Sequence, residues 1–236
     1  MNEPLVLLPG MMCDARIFAP QIFALSTDMA VMAAPITHGE RIEEIASHIL
    51  SLAPSKFALA GLSMGGIVAL EILRRAPERV TRLALMDTSP MAESPAEAAA
   101  REVQIVGARS GRMLEVIRDD MLPNVLRPGP ERGDQQALML DMAADLGPEV
   151  FVRQTRALQR RRDHQMTLRK IRQPALILCG ADDTLTPPKR HEFMAQLIEF
   201  AQLRVIDGAG HLPVLDQPAA VTAALRDWMK QPLVLR

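Results

Sequence analysis

Cysteine is scarce in this chain: Cys13 and Cys179 are the only two in 236 residues, each in an apolar or strand-like stretch. So few argue against a disulfide-stapled secreted domain and cannot supply a four-thiolate metal site. A dominant charge of one sign is also missing. The 27 basic residues nearly balance the 28 acidic ones, so the overall field gives no reason to expect nucleic acid or an anionic membrane as the main partner. The run Arg160-Arg161-Arg162 is a local exception, expected to be a solvated helix face. No apolar run reaches the roughly 18 residues a membrane helix needs, so no integral membrane association is expected. The first residues, Met1-Asn2-Glu3-Pro4, pass straight into Leu5 to Leu8 with no basic region or small-residue cleavage site. They read as the entry to a first core strand of a cytoplasmic protein, not as a signal peptide.

What is present is a chain long enough for one domain, or for a core with a small inserted subdomain, and 48% hydrophobic. Leu5 to Leu8 is a continuous apolar run stopped by Pro9 and Gly10, the pattern of a strand buried on both faces. A short helix is expected over 16–25, a strand over Met29 to Met32, a helix over Glu40 to Leu52 and a strand over Lys56 to Ala60. Ile67 to Arg75 reads as a buried helix stopped before Pro77, and Val80 to Met86 as a strand ending at Asp87. This alternation implies an α/β class with a mostly parallel sheet covered on both faces. Residues 90–170 break it, with helical segments expected over 96–108, 112–121, 134–145 and 149–168 and turns at Arg127-Pro128-Gly129-Pro130 and Gly147-Pro148. A block so long and so helical reads as an inserted cap, leaving 1–89 and 171–236 as the core. Strands return at Ala175 to Cys179 and Leu203 to Ile206, with helices over 189–198 and from Pro218 past Trp228.

The most informative string is Gly61-Leu62-Ser63-Met64-Gly65-Gly66, a G-x-S-x-G turn placed between a strand and a helix. Such a turn exposes the serine hydroxyl at the carboxyl edge of the sheet, while the glycines relieve the crowding a Cβ would cause. Backbone N–H groups at the start of the helix, Met64 first, then face a developing oxyanion. A dinucleotide-binding loop is disfavoured because G-x-G-x-x-G is absent.

A serine hydroxyl needs a base. Of His38, His48, His164, His191 and His211, only His211 follows a core strand in a glycine-bearing loop late in the chain. His38 is the reserve, because its loop leaves the same sheet edge; the other three belong to helical stretches and suit surface or packing roles. The base needs an acid to fix its tautomer. Asp87, Asp182 and Asp183 all sit at carboxyl ends of strands, and the order Ser, Asp, His leaves them open while favouring the 182/183 pair. The second oxyanion donor should come from the loop after the first strand, where Gly10 lets the Met11 N–H turn toward the site.

With these pieces in place the sequence resembles the α/β-hydrolase superfamily, particularly its small lidded esterases, enol-lactonases and carbon–carbon bond hydrolases. The resemblance spans residues 5–89 and 172–229 and rests on Leu7-Leu8-Pro9-Gly10, the Ser63 elbow, Gly180-Ala181-Asp182-Asp183-Thr184-Leu185-Thr186-Pro187 and Gly208-Ala209-Gly210-His211-Leu212-Pro213. It implies the α/β-hydrolase fold with a helical cap, and it selects Asp183 as the acid, since Gly180 and Pro187 stand at the family's spacing. Asp182 and Asp87 become reserve acids. The family's usual His-Gly at the oxyanion loop appears as Pro9-Gly10, and its Asp-x-x-Gly-x-Gly-x-Ser loop is replaced by Ala34-Pro35-Ile36-Thr37-His38-Gly39, departures that bear on substrate more than on mechanism. The expected activity is hydrolysis of a small or medium carboxylic ester or lactone through an acyl-enzyme, with no metal or organic cofactor. Acyl transfer or carbon–carbon cleavage with the same triad, and a non-enzymatic ligand receptor, are the competing readings. The expected partner is a small ester-like molecule, and a homo-oligomer is left open.

Overall fold

The computed structural model describes residues 3–233; the outermost positions of the expected core, 1–2 and 234–236, lie outside the described residues. Six strands form one sheet in the order β2-β1-β3-β4-β5-β6: β1 (Leu5–Leu8), β2 (Val31–Ala33), β3 (Phe57–Leu62), β4 (Val80–Met86), β5 (Ala175–Gly180) and β6 (Ala201–Ile206). Every pairing is parallel. The helices α1 (Ala19–Leu25), α2 (Ile42–Leu52), α3 (Met64–Arg75), α4 (Pro95–Gly107), α5 (Arg132–Gln159), α6 (Pro188–Leu197) and α7 (Pro218–Met229) fill the connections.

Burial follows position in the sheet. β1, β3 and β5 are buried along their whole length, as expected of strands covered on both faces. The edge strands β2 and β6 are only partly covered. The chain first winds outward from β1 to β2 and then returns to β3 on the other side of β1. That reversal opens a crevice at the carboxyl ends of β1 and β3, where doubly wound sheets bind ligands.

Boundaries shift where backbone bonds override the apolar pattern. Met29 belongs to the turn after α1, because its N–H donates to Leu25 O at 3.1 Å, so β2 starts at Val31. Helix α3 begins at Met64, itself buried, three residues before the expected start at Ile67. Between β4 and β5, the described residues form helices from Pro95 to Leu168 and no strand. Helix α5 is interrupted at Gly147, whose φ of 79° precedes Pro148, matching the expected break. The helix expected over 149–168 ends instead at Gln159; the chain then turns, and the His164 N–H bonds to Pro90 O at 2.7 Å, tying it back to the exit of β4. The expectation of a solvated arginine face fails at Arg161, whose side chain is 11% exposed and points to Glu93.

Candidate active site

Ser63 occupies the turn between β3 and α3 with φ 52°, a left-handed conformation that a non-glycine residue holds only under surrounding constraint. The constraint is visible: the Ser63 N–H donates to Met86 O at 2.8 Å, and the Thr88 hydroxyl donates to Ser63 O at 2.7 Å. The elbow presses on the first strand, since a Cβ on Gly65 would lie 2.2 Å from Leu8 O; only glycine fits there. The Thr88 N–H in turn donates to His191 Nε2 at 3.1 Å. Burial pushes the His191 imidazole down to about 4, so at neutral pH it keeps the uncharged acceptor that this bond requires. His191 therefore packs beneath the elbow, and the expected packing role fits it; the structure places it inside rather than on the surface.

His211 Nε2 lies 2.9 Å from Ser63 Oγ, and His211 Nδ1 lies 2.9 Å from Asp183 Oδ2. The His211 loop rests on the end of β5, where a Cβ on Gly180 would come within 2.1 Å of Gly210 O, and the Asp182 N–H donates to Ala209 O at 2.9 Å. These contacts bring loops from β3, β5 and β6 to one point. Asp183 accepts from the Leu185 and Thr186 N–H groups at 2.9 and 3.0 Å and from the Thr186 hydroxyl at 2.6 Å. Burial alone would push the Asp183 carboxyl up; the bond to His211, that ring's charge and the Thr186 bonds outweigh it and hold the carboxyl well below its ordinary range.

Neither reserve acid bonds to His211: Asp182 turns outward, and Asp87 lies beside Asp183 and His211 with its bond made elsewhere. The Asp182 side chain is more than half exposed and pairs with Arg127 at 3.4 Å. Asp87 is fully buried at φ 43°; its Oδ1 accepts the Gly180 N–H at 2.9 Å, and its Oδ2 has no partner among the described residues. Burial first, then the charge of Asp183, push Asp87 well above the ordinary carboxylate range. The reserve base His38 packs against His48, ring centroids 4.1 Å apart and planes tilted by 47°. Among the described residues, Asp87, Asp183 and His211 are the one group of three donors near enough to share a metal ion, within 4.8 Å. His211 and Asp183 are already bonded to each other, and burial together with the charge of Asp183 disfavours ionising Asp87, which suits proton handling better than a cation.

Met11 and Met64 line the same cavity as Ser63, a space of about 510 Å³. Neither N–H has an acceptor among the described residues. The loop after β1 is shaped by the Cys13 N–H donating to Gly10 O at 3.2 Å and by Met12 at φ 54°. The Met12 N–H donates to Gln154 Oε1 at 2.8 Å, and Gln154 Nε2 donates to Ile36 O at 3.1 Å. Helix α5 thus holds this loop through a fully buried glutamine. Sequence reasoning missed Gln154, Thr88 and Thr186. Thr186 lies inside the Gly180 to Pro187 motif, whereas Gln154 stands in an unremarkable helical stretch. Ile117, Met121, Leu122, Val125 and Met139, from the segment between β4 and β5, also wall the cavity.

The profile of the alpha/beta hydrolase family matches residues 5–225, and the chain belongs to that family. Among curated relatives it is similar to the pimeloyl-(acyl-carrier protein) methyl ester esterase of Neisseria meningitidis serogroup A, 26% identical over 204 residues, 84% of this chain and 64% of that protein. The match thus spans slightly less than two thirds of that relative's length. The protein of the same name from Aromatoleum aromaticum is 26% identical over 252 residues, covering 96% of this chain and 98% of the relative. Among solved structures, a thermophilic esterase from Thermogutta terrifontis superposes with a TM-score of 0.88 at 28% identity, over 98% of this chain and 90% of that one. No helix among the described residues is long and apolar enough to cross a membrane.

Proposed function

We propose that the chain is a serine carboxylic ester hydrolase, with Ser63 as nucleophile, His211 as base and Asp183 as the acid that orients it. The observation that carries this reading is the unbroken bonded line from Ser63 Oγ through both ring nitrogens of His211 to Asp183 Oδ2, each link 2.9 Å. As Ser63 Oγ attacks the ester carbon, its proton passes to His211 Nε2 and the carbonyl electron pair moves onto oxygen. The Met11 and Met64 N–H groups receive that oxyanion, with the amino end of α3 behind Met64. Collapse expels the alcohol, which takes the proton from His211; a water deprotonated by the same ring then releases the acid and restores Ser63. Asp183, held ionised, fixes the tautomer and stabilises the imidazolium.

The helices of 90–170 act in this reading as a cap whose apolar side chains wall the cavity. Similarity to proteins named as esterases supports ester hydrolysis over acyl transfer or carbon–carbon cleavage, and the apolar cavity supports a small or medium acyl group or a lactone. The test pairs Ser63→Ala with fluorophosphonate labelling. Ser63→Ala should fold yet lose about 10⁴-fold in turnover of short aryl esters, and the probe should label Ser63 only while His211 is intact. Near-parental turnover by the folded variant, or equal labelling in His211→Ala, would remove the serine mechanism.

A further inference from the structure

The cavity over Ser63 is mostly apolar, yet its wall carries three arginines, Arg101, Arg161 and Arg190. Three carboxylates share the wall, Glu93, Glu97 and Asp120, and their pairing decides what the arginines are free to do. The Glu93 side chain is 2% exposed, and its Oε1 lies 2.9 Å from Arg101 Nη2 and 3.4 Å from Arg161 Nη1. One negative charge therefore serves two guanidiniums through a single oxygen. Glu97 accepts the Ser94 N–H at 2.7 Å in the capping box of α4, and its charge also acts on Arg161 and Arg190 without bonding either; Asp120 is exposed.

Arg190 has no such arrangement. It is half-buried, and its guanidinium makes no hydrogen bond or ion pair among the described residues. It stands in the first turn of α6, directly after the loop that carries Asp183 and Thr186. Burial pushes Arg161 down, the charges of Glu93 and Glu97 oppose that, and the charges of Arg101 and Arg190 push it down further, so Arg161 is close enough to both other guanidiniums to be repelled, with two carboxylates set against three cations. Arg161 spends Nε on Met91 O at 2.9 Å and Nη1 on Glu93, which leaves Nη2 as a donor. An anion among them relieves the repulsion and satisfies planar donors that fit a carboxylate two at a time; a cation would add to it.

We propose that the acyl part of the substrate ends in a carboxylate that Arg190 binds beside Arg161, so that the substrate class is the half-ester of a dicarboxylic acid. This rests on Ser63 being the nucleophile. The mostly apolar 510 Å³ cavity suits a short methylene chain between the two ends.

The experiment uses the full chain and three para-nitrophenyl esters of matched acyl length, ending in a carboxylate, a methyl or a trimethylammonium group. The parent should favour the carboxylate ester over the methyl one by about tenfold or more in kcat/KM, chiefly through KM, and should take the ammonium ester worst. Arg190→Gln should cut the carboxylate-to-methyl ratio about tenfold, and Arg190→Lys should restore part of it. Arg109→Gln, at an exposed arginine outside the cavity wall, should leave the ratio unchanged. A parental ratio within about twofold of unity, an ammonium ester turned over as well as the carboxylate one, or an unchanged ratio in Arg190→Gln overturns the assignment. If Ser63-dependent hydrolysis persists without any preference for the tail, only the anion site falls; if none of the esters is turned over, or Ser63→Ala matches the parent, the nucleophile falls and the site with it.

Discussion

Replacing Gln154 with methionine keeps an unbranched side chain of similar length and removes both of its hydrogen bonds. The bonds to the Met12 N–H at 2.8 Å and to Ile36 O at 3.1 Å lie where Gln154 is wholly buried, so each orphaned backbone group costs about 1–3 kcal/mol. Partial relaxation brings the expected loss to about 2–4 kcal/mol, or a Tm lowered by about 5–15 °C for a domain of this size. The catalytic effect is separable from this. Met12 holds φ 54°, a conformation that costs about 1–3 kcal/mol and persists only while its neighbours enforce it. Once the bond to Gln154 is gone, Met12 relaxes and swings the adjoining Met11 N–H away from the oxyanion. Losing one such donor lowers kcat by about 10² to 10³-fold, so kcat should fall by about 10 to 10³-fold while KM moves by less than about threefold. The control is Gln173→Met, which deletes a bond to Pro77 O at 2.9 Å at the amino end of the sheet and should lower Tm while sparing kcat. Steady-state kinetics on one short aryl ester and thermal melts of both variants decide the matter. If Gln154→Met melts as early as Gln173→Met and keeps kcat within about threefold of the parent, α5 does not hold the oxyanion loop in register.

The carboxylates separate by their surroundings. Asp183→Asn should lower kcat/KM by about 10³ to 10⁴-fold with the fold intact, while Asp182→Asn, which loses an exposed pair with Arg127, should stay within about threefold; the reverse pattern would reassign the acid. Asp87 gives a pH signature in stability. Its folded pKa is raised by burial and by Asp183, so its contribution is fully present below the ordinary aspartate value and is lost as pH rises toward the folded one. Asp87→Asn does not ionise, so its Tm advantage over the parent should grow from about pH 4 upward. A Tm difference that stays flat or shrinks across that range would mean that Asp87 is ionised in the native protein.

The elements that build the site were legible because their signals are short-range. The elbow is a few consecutive residues whose strand, glycines and helix all agree, and the His211 loop is a glycine turn after a strand; in each, local backbone chemistry limits the conformations available. The helical nature of 90–170 and the break at Gly147-Pro148 were readable for the same reason. The acid of the proposed triad was different. Strand ends alone left Asp87, Asp182 and Asp183 open, and family spacing chose among them; the fold then turned Asp182 outward to Arg127 and buried Asp87 against Gly180. Gln154 reaches a loop 142 positions away, and Arg161 leaves a run that looks solvated to share Glu93 with Arg101. No local pattern encodes such pairings, because a polar side chain in a helix reads alike whether it meets water or a partner. The partner depends on how distant segments are laid across the sheet, and burial then makes the bond obligatory.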